Sequence, residues 1–512
     1  MGQTITMVYD WETQQVQHQF MAVGTKFLNR LVSDWQEKSV KNSQSAQWIG
    51  NTICDIVWPD LKPTLEGWFA SNMTQDEVFD HFIKDVKMVL LPLDRLGQEQ
   101  GKSGAHSVLC YFRYESFTEI QSSGEPADEA RRMLSLNSLP IIIKHAEEPI
   151  APMGESPTHI QTEFENANTV SPYLRHSNTF VLPFYYHREQ SGEGSQREFL
   201  LSNSIVDYGG KQISFSNSSI HTFLNVLQTS EKHSAVSANT KIKSADILSF
   251  VYRKLRNLHC GPYSTGRVQT HIESRSYAEE YNKYLRKMDT PAARAAFQQL
   301  WCTNDDIESC SEKCPLKVLD LVLSITTQLH MGGIHGDFHP RNIVMLGDLT
   351  AALPEAHIID YGWANKYSHI AKDYVLMECN LRFMCLNPDL PKRDVEKISR
   401  LISTNELNDA VAEISKDGSC SYADDILLLI MEVRSNFQQT LQEIDSSLKN
   451  VPLSDDLWLY EYHIPMFLVA YGLTKFYGEC RNQVAMRLTI SKLTSFLWDK
   501  IKKQTTDENI QV

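Results

Sequence analysis

The sequence lacks any apolar run long enough to cross a membrane. A transmembrane helix needs about 20 predominantly apolar residues, and the apolar runs of this chain are far shorter. Its first residues also lack the basic segment followed by an apolar run that is typical of a secretory signal. These two absences predict a protein that has no membrane partner and is located in the cytoplasm.

Basic residues are too few for general binding to nucleic acid. The chain has 49 Lys and Arg against 63 Asp and Glu, so its net charge is -14. A surface that binds phosphate backbones needs a surplus of Lys and Arg. We therefore expect no nucleic acid among the partners of the chain.

Regularly paired cysteines are also missing. The tightest group among the ten cysteines is Cys302, Cys310 and Cys314, with His330 further along the chain. Zinc ligands usually form closer pairs, so this group is a weak alternative as a zinc site. Cysteines without paired spacing indicate free thiols in a reducing compartment.

Hydrophobic periodicity and turn signals predict three regions. Residues 1–95 are expected to form a helical amino-terminal extension, through which the chain would meet any protein partner, because apolar residues recur there at helical spacing. This apolar stripe consists of Phe20, Val23, Phe27, Leu31 and Trp35.

Residues 96–207 are predicted to form an amino-terminal lobe of strands and one helix. A Gly/Ser turn precedes the strand-like run SVLCYFRYESF, and the β-branched strand LPIIIKHAEEP follows later. The helix-like segment THIQTEFENANTV comes next, and the strand-like runs TFVLPFYYH and REFLLSNSIVDY come after it. This order of elements is typical of a kinase amino-terminal lobe.

Residues 208–505 are predicted to form a helix-rich carboxy-terminal lobe. This lobe is predicted to contain a helical insertion at about 215–315. A further helix is expected to continue through Leu329 to a turn at Gly332 and Gly333.

The residues that indicate chemistry lie in IHGDFHPRNIVML and, further on, HIIDYGWA. Asp337 lies five residues before Asn342, and Asp360 follows eighteen residues later, at the end of an Ile-Ile strand. Phosphoryl transfer needs a carboxylate that orients the attacking hydroxyl and oxygen ligands that hold Mg²⁺ against the phosphates. Asp337 suits the first role, and Asn342 and Asp360 suit the second. Gly336 and Gly362 give the backbone freedom beside each carboxylate.

This pair of motifs resembles the aminoglycoside phosphotransferase and choline kinase branch of the protein-kinase-like superfamily, and most closely its bacterial ternary-complex-associated phosphotransferase-like domains. The motif of that branch, His-Gly-Asp-x-His-x-x-Asn, is matched by His335, Gly336, Asp337, His339 and Asn342. The resemblance implies a two-lobed α+β kinase-like fold, ATP and Mg²⁺ as cofactors, and a nucleotide and a hydroxyl acceptor as ligands. It also implies a kinase that transfers phosphate to an alcohol group of a small molecule or protein. GTP remains open as an alternative to ATP.

The amino-terminal lobe is expected to supply the groups that hold the nucleotide. Lys144 lies on a β-branched strand after a glycine loop, which suits the lysine that contacts the α- and β-phosphates. Its usual partner is a helix glutamate, for which Glu163 is preferred over Glu165. The backbone N–H groups that would face the phosphate oxygens are those of Gly101, Ser103 and Gly104, although the loop lacks a full Gly-x-Gly-x-x-Gly.

Several alternatives remain open at the level of sequence. The protein could use this fold to transfer AMP, which would make it a nucleotidyltransferase. It could also lack catalysis and serve as a nucleotide-binding scaffold in a larger complex. His335, Asp337, His339 and Asp360 offer a transition-metal site as a weaker alternative. The basic segment VYRKLRNLH is either a grip for an anionic acceptor or, in the interpretation we prefer, a solvated helix face.

Overall fold

A computed structural model describes most of the chain in fourteen segments. These segments are residues 2–10, 15–23, 86–92, 106–114, 141–149, 159–174, 179–190, 195–203, 220–232, 238–264, 272–302, 314–346, 355–417 and 421–508. The chain divides into two compact units, of which the first contains residues 1–165, 181–221 and 345–349 and the second contains the rest.

The first unit is built on a seven-stranded sheet with the order β2-β1-β3-β4-β5-β7-β6. Every neighbouring pair of strands in it is antiparallel. The strands are β1 (Gly2–Asp10), β2 (Gln15–Val23), β3 (Val86–Pro92), β4 (His106–Tyr114), β5 (Ile141–Pro149), β6 (Pro183–Gln190) and β7 (Ser195–Asn203). Helix α1 (His159–Leu174) follows β5 in the chain.

The start of α1 packs on the sheet through an apolar cluster. Ile160 is buried together with Ala146 of β5 and Leu200 of β7. Phe164, one turn further along α1, stacks on Tyr186 of β6 with ring centroids 5.8 Å apart. The predicted order of strand, Lys-bearing strand, helix and two strands is therefore confirmed, because α1 lies between β5 and β6 in the chain.

The helical extension predicted for residues 1–95 is wrong in the segments that the structure describes there. Gly2–Asp10 and Gln15–Val23 form an antiparallel hairpin in which Asp10 faces Gln15, and Val86–Pro92 is a third strand. Phe20 and Val23 of the expected apolar stripe belong to β2. The segment TITM of β1 alternates polar and apolar residues, and β-sheet pairing outweighs the helical spacing of a few apolar positions. The other stripe residues lie outside the described residues.

The second unit combines small strands with many helices. The remaining strands are β8 (Ile220–Thr222), β9 (Ile272–Ser276), β10 (Thr326–Ile334), β11 (Ile343–Leu346), β12 (Glu355–Ile358) and β13 (Asn365–His369). Of these, β8 and β11 each contain residues assigned to both units. Strand β10 is central in the second unit, because β9 and β13 pair with it in antiparallel register on either side.

Helices make up most of the second unit, as predicted for the insertion and for the carboxy-terminal lobe. They are α2 (Phe223–Lys232), α3 (Ala238–Ser264), α4 (Tyr277–Glu280), α5 (Asn282–Leu285), α6 (Pro291–Cys302), α7 (Pro315–Leu323), α8 (Ala371–Asn380), α9 (Lys392–Arg400), α10 (Thr404–Asp417), α11 (Tyr422–Ile444), α12 (Asp455–Trp458), α13 (Ile464–Leu473) and α14 (Gln483–Glu508). Short π-helical segments, Leu381–Cys385 and Leu459–His463, continue α8 and precede α13. None of the described helices is both long enough and apolar enough to span a membrane.

A buried ionic cluster joins α8 to α11 in the core of the second unit. The Glu378 carboxylate accepts hydrogen bonds from the guanidinium groups of Arg382 and Arg434, at 2.8 and 2.9 Å, and from the Tyr462 hydroxyl at 2.6 Å. Burial alone would raise the pKa of Glu378, but the two arginines outweigh it and lower that pKa to about 2. Glu378 is thus an ionised buried group whose charge is fully paired.

The helix predicted to reach Leu329 ends earlier than expected. Helix α7 stops at Leu323, and Leu329, Gly332 and Gly333 all belong to strand β10 rather than to a helix and a turn. The two glycines are needed because α3 passes close to the strand. A Cβ atom on Gly333 would lie 2.7 Å from the Leu258 carbonyl oxygen, and one on Gly332 would overlap the carbonyl oxygen of His259.

Candidate active site

The loop that follows β10 contains the first motif. Gly336 has φ +79°, and a Cβ atom there would overlap the carbonyl oxygen of Trp363. Only glycine fits this position without strain, because it combines a left-handed backbone with a close backbone contact. The loop closes in a 3₁₀ turn, Pro340–Asn342, where the His339 Nδ1 atom accepts a hydrogen bond from the Arg341 N–H at 3.3 Å.

Hydrogen bonds around Asn342 connect the first motif to the second. The Asn342 side chain donates from Nδ2 to the main-chain carbonyl of Asp337 at 2.8 Å. The Asn342 carbonyl accepts a hydrogen bond from the N–H of Ile359 at 3.0 Å. Since Ile359 directly precedes Asp360, the two motifs form one hydrogen-bonded group, although Asn342 and Asp360 are eighteen residues apart in the sequence.

Asp360 adopts an uncommon backbone conformation with φ +67°. Residues other than glycine rarely occupy this left-handed region, and when they do they are often found at functional sites. The Gly362 N–H donates to Asp360 Oδ1 at 3.3 Å. The residue with the left-handed backbone in the second motif is thus Asp360, whereas the sequence suggested that Gly362 would supply the flexibility.

Asp337 is a partly exposed carboxylate that has basic side chains around it. A third of its side chain, 33%, is accessible to solvent, and its Oδ2 lies 3.6 Å from the Nε2 of His339. Burial works to raise the pKa of Asp337, but His339, His335 and Lys283 outweigh it and lower that pKa to about 2. The carboxylate is therefore charged at neutral pH and is able to accept a hydrogen bond from a hydroxyl group.

Asp373 of α8 holds the first residues of this loop in place. Its two carboxylate oxygens accept hydrogen bonds from the backbone N–H groups of His335, at 2.8 Å, and Gly336, at 2.7 Å. The same carboxylate lies 3.1 Å from the Nε2 of His259. The His335 side chain donates from Nε2 to the Ile359 carbonyl at 3.0 Å, so this histidine braces the loop.

Substituting Asp373 with alanine is expected to destabilise the protein by about 3 kcal/mol, because two buried backbone N–H groups lose their acceptor. Chemical denaturation of the parent and Asp373→Ala proteins would measure this loss. Asp389→Ala, which removes an exposed carboxylate from the same unit, is the matched control and is expected to change stability little. Equal stability of the two variants would contradict the bracing role.

Lys144 and Glu163 form an ion pair in the first unit. The Lys144 Nζ lies 2.5 Å from the Glu163 Oε2, and their side chains are 21% and 8% exposed. Glu165 is exposed, and its carboxylate accepts from the Gln161 side chain at 2.8 Å. The structure therefore pairs Lys144 with the preferred glutamate of the two. Gly101, Ser103 and Gly104 lie outside the described residues.

Replacing Lys144 with alanine is expected to weaken ATP affinity or turnover at least about tenfold, which corresponds to about 1.4 kcal/mol of binding to the transition state. Glu163→Ala is expected to act in the same direction, because it releases the ammonium group from its fixed position. Glu165→Ala is the matched control, two residues away on the same helix. Calorimetric nucleotide titration and steady-state kinetics would measure these effects. The phosphate-binding lysine lies elsewhere if Lys144→Ala and Glu165→Ala both behave like the parent.

The donor atoms at the junction of the two motifs suit a magnesium ion. The Asn342 amide nitrogen already donates to the Asp337 carbonyl, so the side-chain atom left to bind a cation is the amide oxygen. Asp360 adds a carboxylate, and Mg²⁺ is typically held by one or two such oxygens together with phosphate oxygens. No group of three or more His, Cys, Asp and Glu side chains within the described ranges is arranged as a metal site. The transition-metal alternative therefore has no support.

Two other sequence alternatives also lose their support in the structure. Arg256 of the basic segment on α3 pairs with Glu443 of α11 at 2.6 Å, so it serves helix packing. Cys314 is a free thiol, and His330 is bonded to Glu461 at 2.8 Å, so a zinc site is not formed by this described pair. Cys310 lies outside the described residues.

Lys283 and Tyr284 lie at the site, and sequence analysis missed both, whereas Trp363 belongs to the second motif but was given no role there. The Tyr284 hydroxyl donates to the carbonyl of Gly336, and the Lys283 Nζ lies 4.3 Å from the centroid of the Trp363 ring. Desolvation lowers the pKa of Lys283 to about 8, and the carboxylates of Asp337 and Asp360 act against that shift. The short helix α5 has too few residues for a periodic pattern, so no sequence signal pointed to these residues.

Comparisons with known proteins find similarity among solved structures. No family model matches the chain, and no curated protein sequence matches it either. The aminoglycoside phosphotransferase APH(4)-Ia, solved as a ternary complex with ADP and hygromycin B, is 10% identical and matches over 75% of this chain and 94% of its own, with a TM-score of 0.30. The choline kinase of Cryptosporidium parvum Iowa II is 11% identical over 88% of this chain and 97% of its own, also with a TM-score of 0.30. Both belong to the branch that the loop motif resembles.

Proposed function

We propose that the protein is an ATP-dependent phosphotransferase that moves the γ-phosphoryl group to a hydroxyl of a small molecule or protein. The observation that supports this proposal most strongly is the hydrogen-bonded junction of the two motifs. Asn342 forms hydrogen bonds with the backbones of both Asp337 and Ile359. The residues that carry the three oxygen functions, namely the Asp337 carboxylate, the Asn342 amide oxygen and the Asp360 carboxylate, therefore belong to one hydrogen-bonded group. Phosphoryl transfer needs these three oxygen functions, since its catalysis consists mainly of positioning and electrostatic stabilisation.

Each residue of the site has a defined task under this proposal. Asp337 orients the acceptor hydroxyl, while Asn342 and Asp360 hold Mg²⁺, which neutralises phosphate charge when it is bound. Lys144 contacts the α- and β-phosphates, and Glu163 keeps its ammonium group in position. GTP in place of ATP would use the same groups, because none of them contacts the base.

The chemical step forms one bond and breaks another. The acceptor oxygen bonds to the γ-phosphorus as the bond from that phosphorus to the β,γ-bridging oxygen breaks, and ADP leaves. The hydroxyl proton passes to the Asp337 carboxylate or to the product phosphate. General-base assistance of this kind contributes about 10²–10⁴-fold to the rate, so loss of the Asp337 charge is expected to slow the reaction strongly.

Radiolabelled ATP would test this proposal against its alternatives. The protein is incubated with Mg²⁺ and with either γ-³²P-ATP or α-³²P-ATP, in the presence of a small-molecule extract or a protein fraction. Label that reaches an acceptor only from the γ position supports phosphotransfer. Label only from the α position would select AMP transfer and make the protein a nucleotidyltransferase. Nucleotide binding without any transfer would favour the scaffold.

A further inference from the structure

A cavity of about 500 Å³ lies beside the catalytic loop, entirely within the second unit. Gly336 of the loop and Trp363 of the second motif contribute to its wall. Lys283, Tyr284 and Arg286, from the end of the helical insertion, line it as well. Its volume lies in the range of about 300–1,000 Å³ that is typical of pockets for small molecules.

The charged side chains around this cavity are predominantly basic. Four basic and two acidic side chains line it, although the whole chain has a net charge of -14. One of the two acidic groups, Glu280, is neutralised by Lys372, whose Nζ lies 2.6 Å from its Oε1. Arg275 pairs with Glu273 at 2.7 Å. The charged groups that remain on the wall are two basic residues and Glu279, so the excess positive charge comes from those two basic residues and is partly offset by Glu279.

Lys283 and Arg286 are those two residues. Across the part of the chain that the structure describes, neither has an ion-pair partner within 4.0 Å. Lys283 instead lies over the Trp363 ring and donates to the Gly362 carbonyl at 3.4 Å. A cation held against an aromatic wall by a single long hydrogen bond keeps most of its capacity to bind an anion.

The position of this charge next to the loop relates it to the reaction. The Gly336 backbone forms part of the cavity wall, and the next residue in the chain is Asp337. A compound in the cavity thus lies beside the carboxylate that would orient an acceptor hydroxyl. The many amide and hydroxyl groups on the wall suit a compound with several hydroxyls. These groups belong to Asn166, Asn282, Asn365, Tyr367 and Ser368.

We propose that this cavity is the acceptor site, and that its acceptor is a small polyhydroxyl compound that carries a phosphate or carboxylate group. The anionic group binds Lys283 and Arg286, and a hydroxyl of the same compound approaches Asp337. This assignment of substrate class depends on the proposed phosphotransferase function. A cationic acceptor is disfavoured, because it would meet two unpaired positive charges.

Matched pairs of probe compounds test the charge preference. The first comparison is between glycerol 3-phosphate and glycerol. The second is between glucose and its two anionic relatives, gluconate and glucose 6-phosphate. Choline is the cationic probe. Binding of each to the full-length protein, saturated with a non-hydrolysable ATP analogue and Mg²⁺, is measured by calorimetry. We expect at least one anionic probe to bind, and its neutral counterpart and choline to bind at least about tenfold more weakly.

Charge-reversal variants locate the anion. Lys283→Glu and Arg286→Glu are each expected to weaken anion binding by about tenfold or more, and Lys283→Gln is expected to give a smaller loss in the same direction. Lys287→Glu is the matched control, since Lys287 is exposed, adjacent to Arg286 and absent from the cavity wall. Thermal unfolding of each variant checks that the fold is intact.

Three outcomes would overturn the assignment of substrate class. These are equal binding of neutral and anionic probes, equal binding by the parent and both Glu variants, and no binding of any anionic probe at about 1 mM. A transfer assay with γ-³²P-ATP separates this inference from the proposed function. Anion binding that depends on Lys283 without phosphate transfer would refute the phosphotransferase alone. Phosphate transfer to a neutral or cationic acceptor, at a rate that substitution of Lys283 does not change, would refute the anionic acceptor alone.

Discussion

Asp360→Ala is expected to abolish Mg²⁺-dependent turnover while leaving the protein folded. The Asp360 carboxylate is one of the two predicted magnesium ligands, and removing a group that stabilises transition-state charge typically costs about 10²–10³-fold in rate. Loss of a metal ligand is expected to reach or exceed the upper end of that range. The measurements are turnover as a function of Mg²⁺ concentration and unfolding by denaturant.

The left-handed backbone of Asp360 provides a second variant that separates chemistry from folding. Glycine occupies φ +67° without the steric penalty that alanine retains there. Asp360→Gly is therefore expected to lose turnover as completely as Asp360→Ala, with a free energy of unfolding within about 1 kcal/mol of the parent. Normal turnover in either folded variant would remove the magnesium assignment, and with it the proposed reaction.

Asp337→Asn is expected to lower phosphoryl transfer by roughly 10²-fold or more, with nearly normal binding of ATP and Mg²⁺. Asparagine keeps the shape of the side chain but removes the charge that the surrounding histidines and Lys283 maintain at neutral pH. The loop itself is expected to remain unchanged, because Asn342 bonds to the main-chain carbonyl of residue 337 and not to its side chain.

Two measurements on Asp337→Asn distinguish an enzyme from a scaffold. Calorimetry reports nucleotide binding, and the biological activity of the intact system is compared with that of the parent at equal expression. Asp389→Asn, at an exposed position in the same unit, is the control for the loss of one negative charge. Full biological activity of Asp337→Asn with preserved nucleotide binding would mean that catalysis is dispensable.

Local motifs allowed much of the site to be predicted from the sequence. Asp337 and Asn342 lie in one short loop, so their spacing alone predicts that they are close in space. The pairing of Lys144 with Glu163 followed from a strand and a helix that are consecutive in the chain, because consecutive elements usually pack together. Whether these groups perform the roles assigned to them remains a prediction.

The features that sequence analysis missed depend on contacts between distant segments. Lys283 donates a hydrogen bond to the carbonyl of Gly362, which is 79 residues away in the sequence. Hydrophobic periodicity cannot predict such a long-range contact. Gly332 and Gly333 suggested a turn. In the structure they lie in β10, where α3 passes too close for any larger side chain, and the local sequence gives no sign of that contact. In the described segments of the first 95 residues, Phe20 and Val23 have helical spacing but belong to β2, because pairing between strands outweighs that spacing.

The attachment of the loop to Asp373 has a consequence for ligand affinity. A buried carboxylate on α8 fixes the backbone N–H groups of His335 and Gly336, so the start of this loop is held by the protein's own groups. A ligand that meets a preformed surface loses less affinity to the ordering of the protein. A loop that becomes ordered only when a ligand binds loses conformational entropy at that moment. The start of this loop loses that entropy when the protein folds.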